Sequence, residues 1–147
     1  MDVLYVRFNN MDETTPRPKT EFISVEIAIK TDFDSAAFVK WFEDQDNYVA
    51  KLECDSHKWY IYFAPIPSKD ANTTILRLCE MIRTLPLEVR QDWDRAAHRE
   101  FFAGYHVGGD PFCFTEHLDQ STLKAALDIN AGIGYALYPA PPSEDDE

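Results

Sequence analysis

The chain is poor in the residues that build most recognised chemistry. It has three cysteines, four histidines and five glycines in 147 residues. Cys54, Cys79 and Cys113 are odd in number and widely spaced. That excludes a disulfide framework and predicts a reducing, cytoplasmic setting. There is no C-x-x-C, no H-E-x-x-H and no third ligand at a fixed offset, so neither a metal nor a cofactor is expected. Gly108-Gly109 and Gly132/Gly134 match neither the P-loop nor the dinucleotide fingerprint. No apolar run approaches the roughly 20 residues that span a bilayer. The start, MDVLYVRFNN, lacks a basic stretch and a cleavage site, so no signal peptide is expected.

Basic residues are also scarce. Fourteen Lys and Arg face 26 Asp and Glu, for a net charge of −12. The excess is −5 over residues 1–73 (8 basic, 13 acidic) and −7 over residues 74–147 (6 basic, 13 acidic). Such a field repels nucleic acid and anionic membranes and speeds encounter with basic partners. It also serves solubility alone, so charge by itself does not establish a partner.

What is abundant is apolar and aromatic. The hydrophobic fraction is 45%, and ten Phe, seven Tyr and three Trp can fill a core without disulfides. One α+β domain over residues 1–140 is expected, followed by an acidic, disordered tail over 141–147. Val3–Phe8 reads as a strand, and Asn9–Lys19, with two prolines, as a loop. Thr20–Lys30 alternates, with Ile23, Val25, Ile27 and Ile29 on one face. Ser35–Glu43 reads as a short helix with Asp32 or Asp34 at its cap. Tyr48–Cys54 and Lys58–Ala64 follow as strands, and the latter is aromatic. Asn72–Leu85 has helical spacing, and Pro86 opens a second helix through about Arg99.

The stretch from Glu100 to Pro139 has the clearest pattern. EFFAGYHV, then GGDP, then FCFTEHL reads as a hairpin. Ser121 caps the short helix TLKAALDIN, and AGIGYALYP is a last strand. An earlier stretch echoes it, with FISVEIAIK, SAAFVKWFE and YVAKLEC also spelling strand, helix, strand. Crossovers of this kind join parallel strands. The expected fold is therefore α+β, with mixed or antiparallel sheet built from two ββαβ-like halves and the helix pair packed on one face.

The chemistry is weighed residue by residue. In the expected hairpin, His106 faces Cys113, a pairing open to a nucleophile with its base or to two metal ligands. Small cysteines in aromatic strands are more often core filler, and no catalytic residue is assigned. Acidic residues gather around the first helix, at Asp32, Asp34, Glu43, Asp44 and Asp46, with Trp41 among them. A Trp ringed by carboxylates suits anchoring of a basic protein. The plainer alternative is a core Trp beside a solvated acidic face. Asp92 and Asp94 on the second long helix are further partner-binding candidates.

The run LPLEVRQDWDRAAHREFFAGYHVGG, then FCFTEHLDQSTLKAALDINAGIGYALYP, resembles small uncharacterised bacterial α+β proteins of the toxin-immunity type. The resemblance covers residues 85–139. It implies an immunity protein that neutralises a toxin or effector, such as a nuclease, by occluding its basic active-site groove. The expected function is thus a non-enzymatic, cytoplasmic, acidic inhibitor with a basic protein partner and no direct contact with nucleic acid or membrane. Two other readings stay open: a nucleic-acid mimic inhibiting a defence complex, and a small enzyme using Cys113 with His106 or His117.

Overall fold

The alternating run that follows Lys19 forms β1 (Glu21–Thr31), the middle strand of a five-stranded sheet. The computed structural model describes residues 17–54, 57–64, 69–111 and 113–141, with Cys54, Phe63 and Ala64 described in backbone only. After β1 come α1 (Ala36–Glu43), β2 (Val49–Cys54), β3 (His57–Ala64), α2 (Ala71–Arg83) and α3 (Leu87–Arg95). The chain closes with β4 (His98–Val107), α4 (Gln120–Asp128) and β5 (Gly132–Pro139). The strand expected at Val3–Phe8, and residues 142–147 of the expected tail, lie outside the described residues.

The strand order is β2-β3-β1-β4-β5. All neighbours are antiparallel except β4 and β5, which run parallel. The fold is α+β on a mixed sheet. The two strand-helix-strand units differ. In the second, β4 and β5 are adjacent and α4 bridges them. In the first, β3 lies between β1 and β2, so α1 crosses a strand to join two that run the same way.

One face of the sheet carries the core. Register aligns Val49, Tyr62, Ile27, Phe101 and Ile133 in a row across all five strands. Tyr62, Ile27 and Phe101 are buried there. Helical residues with 3.6-residue spacing cover them: Phe38 and Phe42 from α1, Ile75, Leu78 and Ile82 from α2, Trp93 from α3, and Ala125 and Ala126 from α4. Trp93 is the centrepiece. Its ring lies 6.4 Å from Phe38 and 6.1 Å from Phe101, and its indole N–H donates to the Ile129 carbonyl at 3.0 Å. Satisfying that N–H allows so large a ring to be fully enclosed.

Several boundaries depart from the sequence reading for local reasons. The pairing of β1 with β4 shifts between Phe22 and Ser24, which is a β-bulge. Phe22 therefore packs edge-on against Tyr105 at 5.6 Å. Ile23, expected to share a face with Val25, Ile27 and Ile29, is exposed while those three are buried. The second helix stops at Arg95, not near Arg99. Arg99 reaches back from β4, and its Nη1 donates to the carbonyls of Trp93 and Asp94 at 2.9 Å each. Both carbonyls lie in the last turn, where acceptors lack the usual helical partner four residues on. Ala97 N–H already donates to the Lys30 carbonyl at 2.8 Å, which ties the chain to β1.

The expected hairpin does not form. Among the described residues, 113–119 contain no strand. The turn at Gly108–Pro111 meets the segment before β1 instead: Asp110 N–H donates to the Pro18 carbonyl at 3.2 Å, and Thr20 N–H to the Asp110 carbonyl at 2.8 Å. Gly108 is required by this approach, because a Cβ there would stand 1.9 Å from the Pro18 oxygen. Residues 113–119 then run as loop into α4, whose cap position is Asp119 and not Ser121.

Candidate functional site

The acidic residues around α1 fall into two groups. Asp32 and Asp34 precede the helix, Glu43 is its last residue, and Asp44 and Asp46 follow it. The two groups lie at opposite ends of this eight-residue helix, about 12 Å long. All five are exposed. Asp34 Oδ1 accepts from the Tyr60 hydroxyl at 3.1 Å. Asp44 pairs with Lys40, the one cation of α1, at 2.8 Å. Among the described residues Asp32, Glu43 and Asp46 form no salt bridge. Asp46 has a left-handed backbone (φ 58°), as suits a residue just past a helix end. The Arg95 guanidinium lies over the Phe33 ring at 4.1 Å, between Asp32 and Asp34 in sequence.

Trp41 is half-buried and packs against the core, its ring edge-on to Phe42 at 4.8 Å. It is partly structural and partly available. Asp94 is exposed and paired with Arg90 Nε at 2.9 Å. Asp92 is different. It is buried, and its Oδ2 accepts from the Phe38 N–H at 3.2 Å. Phe38 is the third residue of α1, one of the amides that lack a helical partner. Asp92 thus caps α1 from a neighbouring helix, whereas Ser35 at the cap position makes no side-chain cap bond. The sequence places Asp92 and Asp94 together, but the fold turns one inward and the other outward.

A second site lies where sequence reasoning placed only a hairpin. Residues 108–111 and 113–119, with β4 and β5, border a cleft of about 470 Å³, lined by Tyr105, Phe114, Glu116, Tyr135 and Leu137 among others. Tyr105 is its buried floor. Phe114 and Tyr135 flank it with ring centroids 5.6 and 6.3 Å away. The Tyr105 hydroxyl donates to Glu116 Oε2, and Ala71 N–H, at the start of α2, donates to Glu116 Oε1 at 2.9 Å. Burial first, and then the Glu116 carboxylate, push the Tyr105 phenol far above its ordinary range, so it stays a donor. The signal in the sequence was the uncharged strand GIGYALYP; reading 112–118 as a strand obscured it.

The Cys–His pairing of the expected hairpin is not formed. His106 lies on β4 opposite Glu21 and Tyr138, while Cys113 is exposed in the loop, its Sγ 3.8 Å from Thr115 Oγ1. Cys79 is buried, and that burial pushes its thiol up to about 11. Among the described residues no group of three or more His, Cys, Asp or Glu could hold a metal ion. Among them, too, no helix is long and apolar enough to cross a membrane. No known protein family, curated protein or solved structure matches the chain significantly.

Proposed function

We propose that this chain is a cytoplasmic, non-catalytic binding protein whose acidic surface docks on a basic protein and inhibits it by occlusion. The observation that carries the reading is the state of the α1 carboxylates. Asp32, Asp34, Glu43, Asp44 and Asp46 all face solvent at the two ends of α1, the helix that carries the half-buried Trp41, in a chain of net charge −12. Long-range charge then speeds encounter, and aromatic anchors limit dissociation. The resemblance of residues 85–139 to toxin-immunity proteins supports a bacterial toxin or effector as the partner, with its basic substrate groove as the surface covered.

The test begins with the full chain as bait and elution in rising salt. The basic protein recovered is then titrated against a variant carrying Asp32→Lys, Glu43→Lys and Asp46→Asn. Asparagine is chosen at position 46 because it tolerates the left-handed backbone. We expect the association rate to fall by about tenfold or more, with a flatter salt dependence. An unchanged rate and an unchanged salt slope would refute docking through this flank.

A further inference from the structure

Among the described residues β5 is an edge strand with few of the usual protections. Edges are ordinarily guarded by charge, by proline or by a covering element. Gly132–Pro139 contains no charged residue, and its one proline ends it. Among the described residues it pairs with β4 alone, in parallel, although parallel strands are usually covered on both faces. Tyr135 and Leu137 point to the helix-covered face, yet they are 59% and 65% exposed. Tyr138, on the other face, is 45% exposed.

The cleft beside this edge has a definite electrostatic character. Among the described residues, Glu116 is the one charged residue lining it. Its two oxygens each accept one hydrogen bond, from Ala71 N–H and from Tyr105. A carboxylate offers about four acceptor sites, so capacity remains for a further donor. The rings of Tyr105, Phe114 and Tyr135 line the cleft, and the face of such a ring, unlike its edge, attracts a cation. Asp70 and Asp119, at the starts of α2 and α4, add negative charge nearby: Asp70 acts on the Tyr105 phenol, and Asp119 bonds Asn72 in the first turn of α2.

We propose that β5 receives an extended segment of the basic partner as a sixth strand, and that the cleft takes one Lys or Arg side chain from that segment. The charged head sits against Glu116, and the methylene stem lies along Phe114, Tyr135 and Leu137. This rests on the reading of the chain as a binder of a basic protein and adds where and how one part of that partner is held.

The probe is the peptide acetyl-Thr-Val-Arg-Val-Thr-amide, titrated into the full chain and followed by backbone-amide NMR. The control peptide carries citrulline, uncharged and nearly isosteric, in place of Arg. We expect shifts concentrated over residues 132–139 and at Tyr105, Phe114 and Glu116. We expect about tenfold weaker binding for the citrulline peptide and for Glu116→Gln, whose carbonyl oxygen accepts from Ala71 while its NH2 donates to the Tyr105 oxygen. Tyr135→Ala and Leu137→Lys, at exposed positions, give the same answer without touching the α2 cap. Equal affinity for the two peptides overturns the proposal. So do shifts confined to other surfaces, no shift at low-millimolar peptide, or a β5 edge taken up by a second copy of the chain. With the whole partner, the two readings separate. Loss in the α1 variant but not in the β5 variants leaves inhibition standing and removes the cleft.

Discussion

Asp92 shows how much a single side chain depends on its neighbours in space. On α3 it sits two residues from Asp94, in a run that reads as an exposed acidic face. In the fold, its Oδ2 takes the Phe38 amide, while Asp94 remains at the surface with Arg90. Removing the carboxylate leaves a buried amide without an acceptor, which costs more than a typical hydrogen bond contributes. Asp92→Ala is expected to destabilise the chain by about 1–3 kcal/mol, read as a shift of the urea midpoint at constant slope. Asp92→Asn keeps a carbonyl acceptor and is expected to lose less. Asp94→Ala, which breaks only an exposed i,i+4 pair, is expected to change stability by about 0.5 kcal/mol or less.

At the scale of elements, the junction between the chain before β1 and the turn after β4 decides the geometry of the cleft. Thr20 links the two: its hydroxyl donates to the Gly108 carbonyl at 3.2 Å, and Gly108 N–H donates to its oxygen at 3.0 Å. A methyl at position 108 would meet the Pro18 carbonyl, which is backbone and cannot swing aside. Gly108→Ala is therefore expected to open this junction and cost on the order of 0.5–3 kcal/mol. Hydrogen exchange at the Thr20 amide is the sensitive readout, because its acceptor is the Asp110 carbonyl on the same turn. Protection of Thr20 equal to that in the parent chain would count against this account. The bulge at Ile23 belongs to the same region. It turns Phe22 onto Tyr105 and so helps hold the floor of the cleft.

For the molecule as a whole, the aromatic core makes stability sensitive to alkali. Burial raises the Tyr62 phenol from an ordinary value of 10.0 to about 12, and Tyr60 and Tyr105 are raised as well, chiefly by burial. In each case the folded state holds the proton more tightly than the unfolded one. The stabilisation is thus complete below about pH 10, and it is lost as pH rises through about 12. Unfolding free energy measured across that window is expected to fall steeply, and Tyr62→Phe to flatten the fall. A pH-independent plateau up to pH 12 would contradict the burial of these phenols.

Much of the architecture was legible because it rests on local periodicity. Alternation marked β1 and β2, aromatic content marked β3, three- and four-residue spacing marked α1, α2 and α3, and a cap signal marked α4, each to within a few residues. Those patterns reflect which side chains must leave water, and they are written along the chain. The ends of elements were less legible. Arg99 ends α3 from a strand away, and a bulge in the β1–β4 ladder reverses Ile23; neither contact is local. The sequence by itself determined the α+β class, the surplus of negative charge and the apolar face of each element, since composition and period are enough for these. Only the tertiary structure decided that β3 lies between β1 and β2, that Asp92 turns inward, and that Phe114 and Glu116 pack on Tyr105 from a loop instead of a hairpin strand. Each of those outcomes is set by partners distant in sequence, whose hydrogen bonds and packing outweigh local preference.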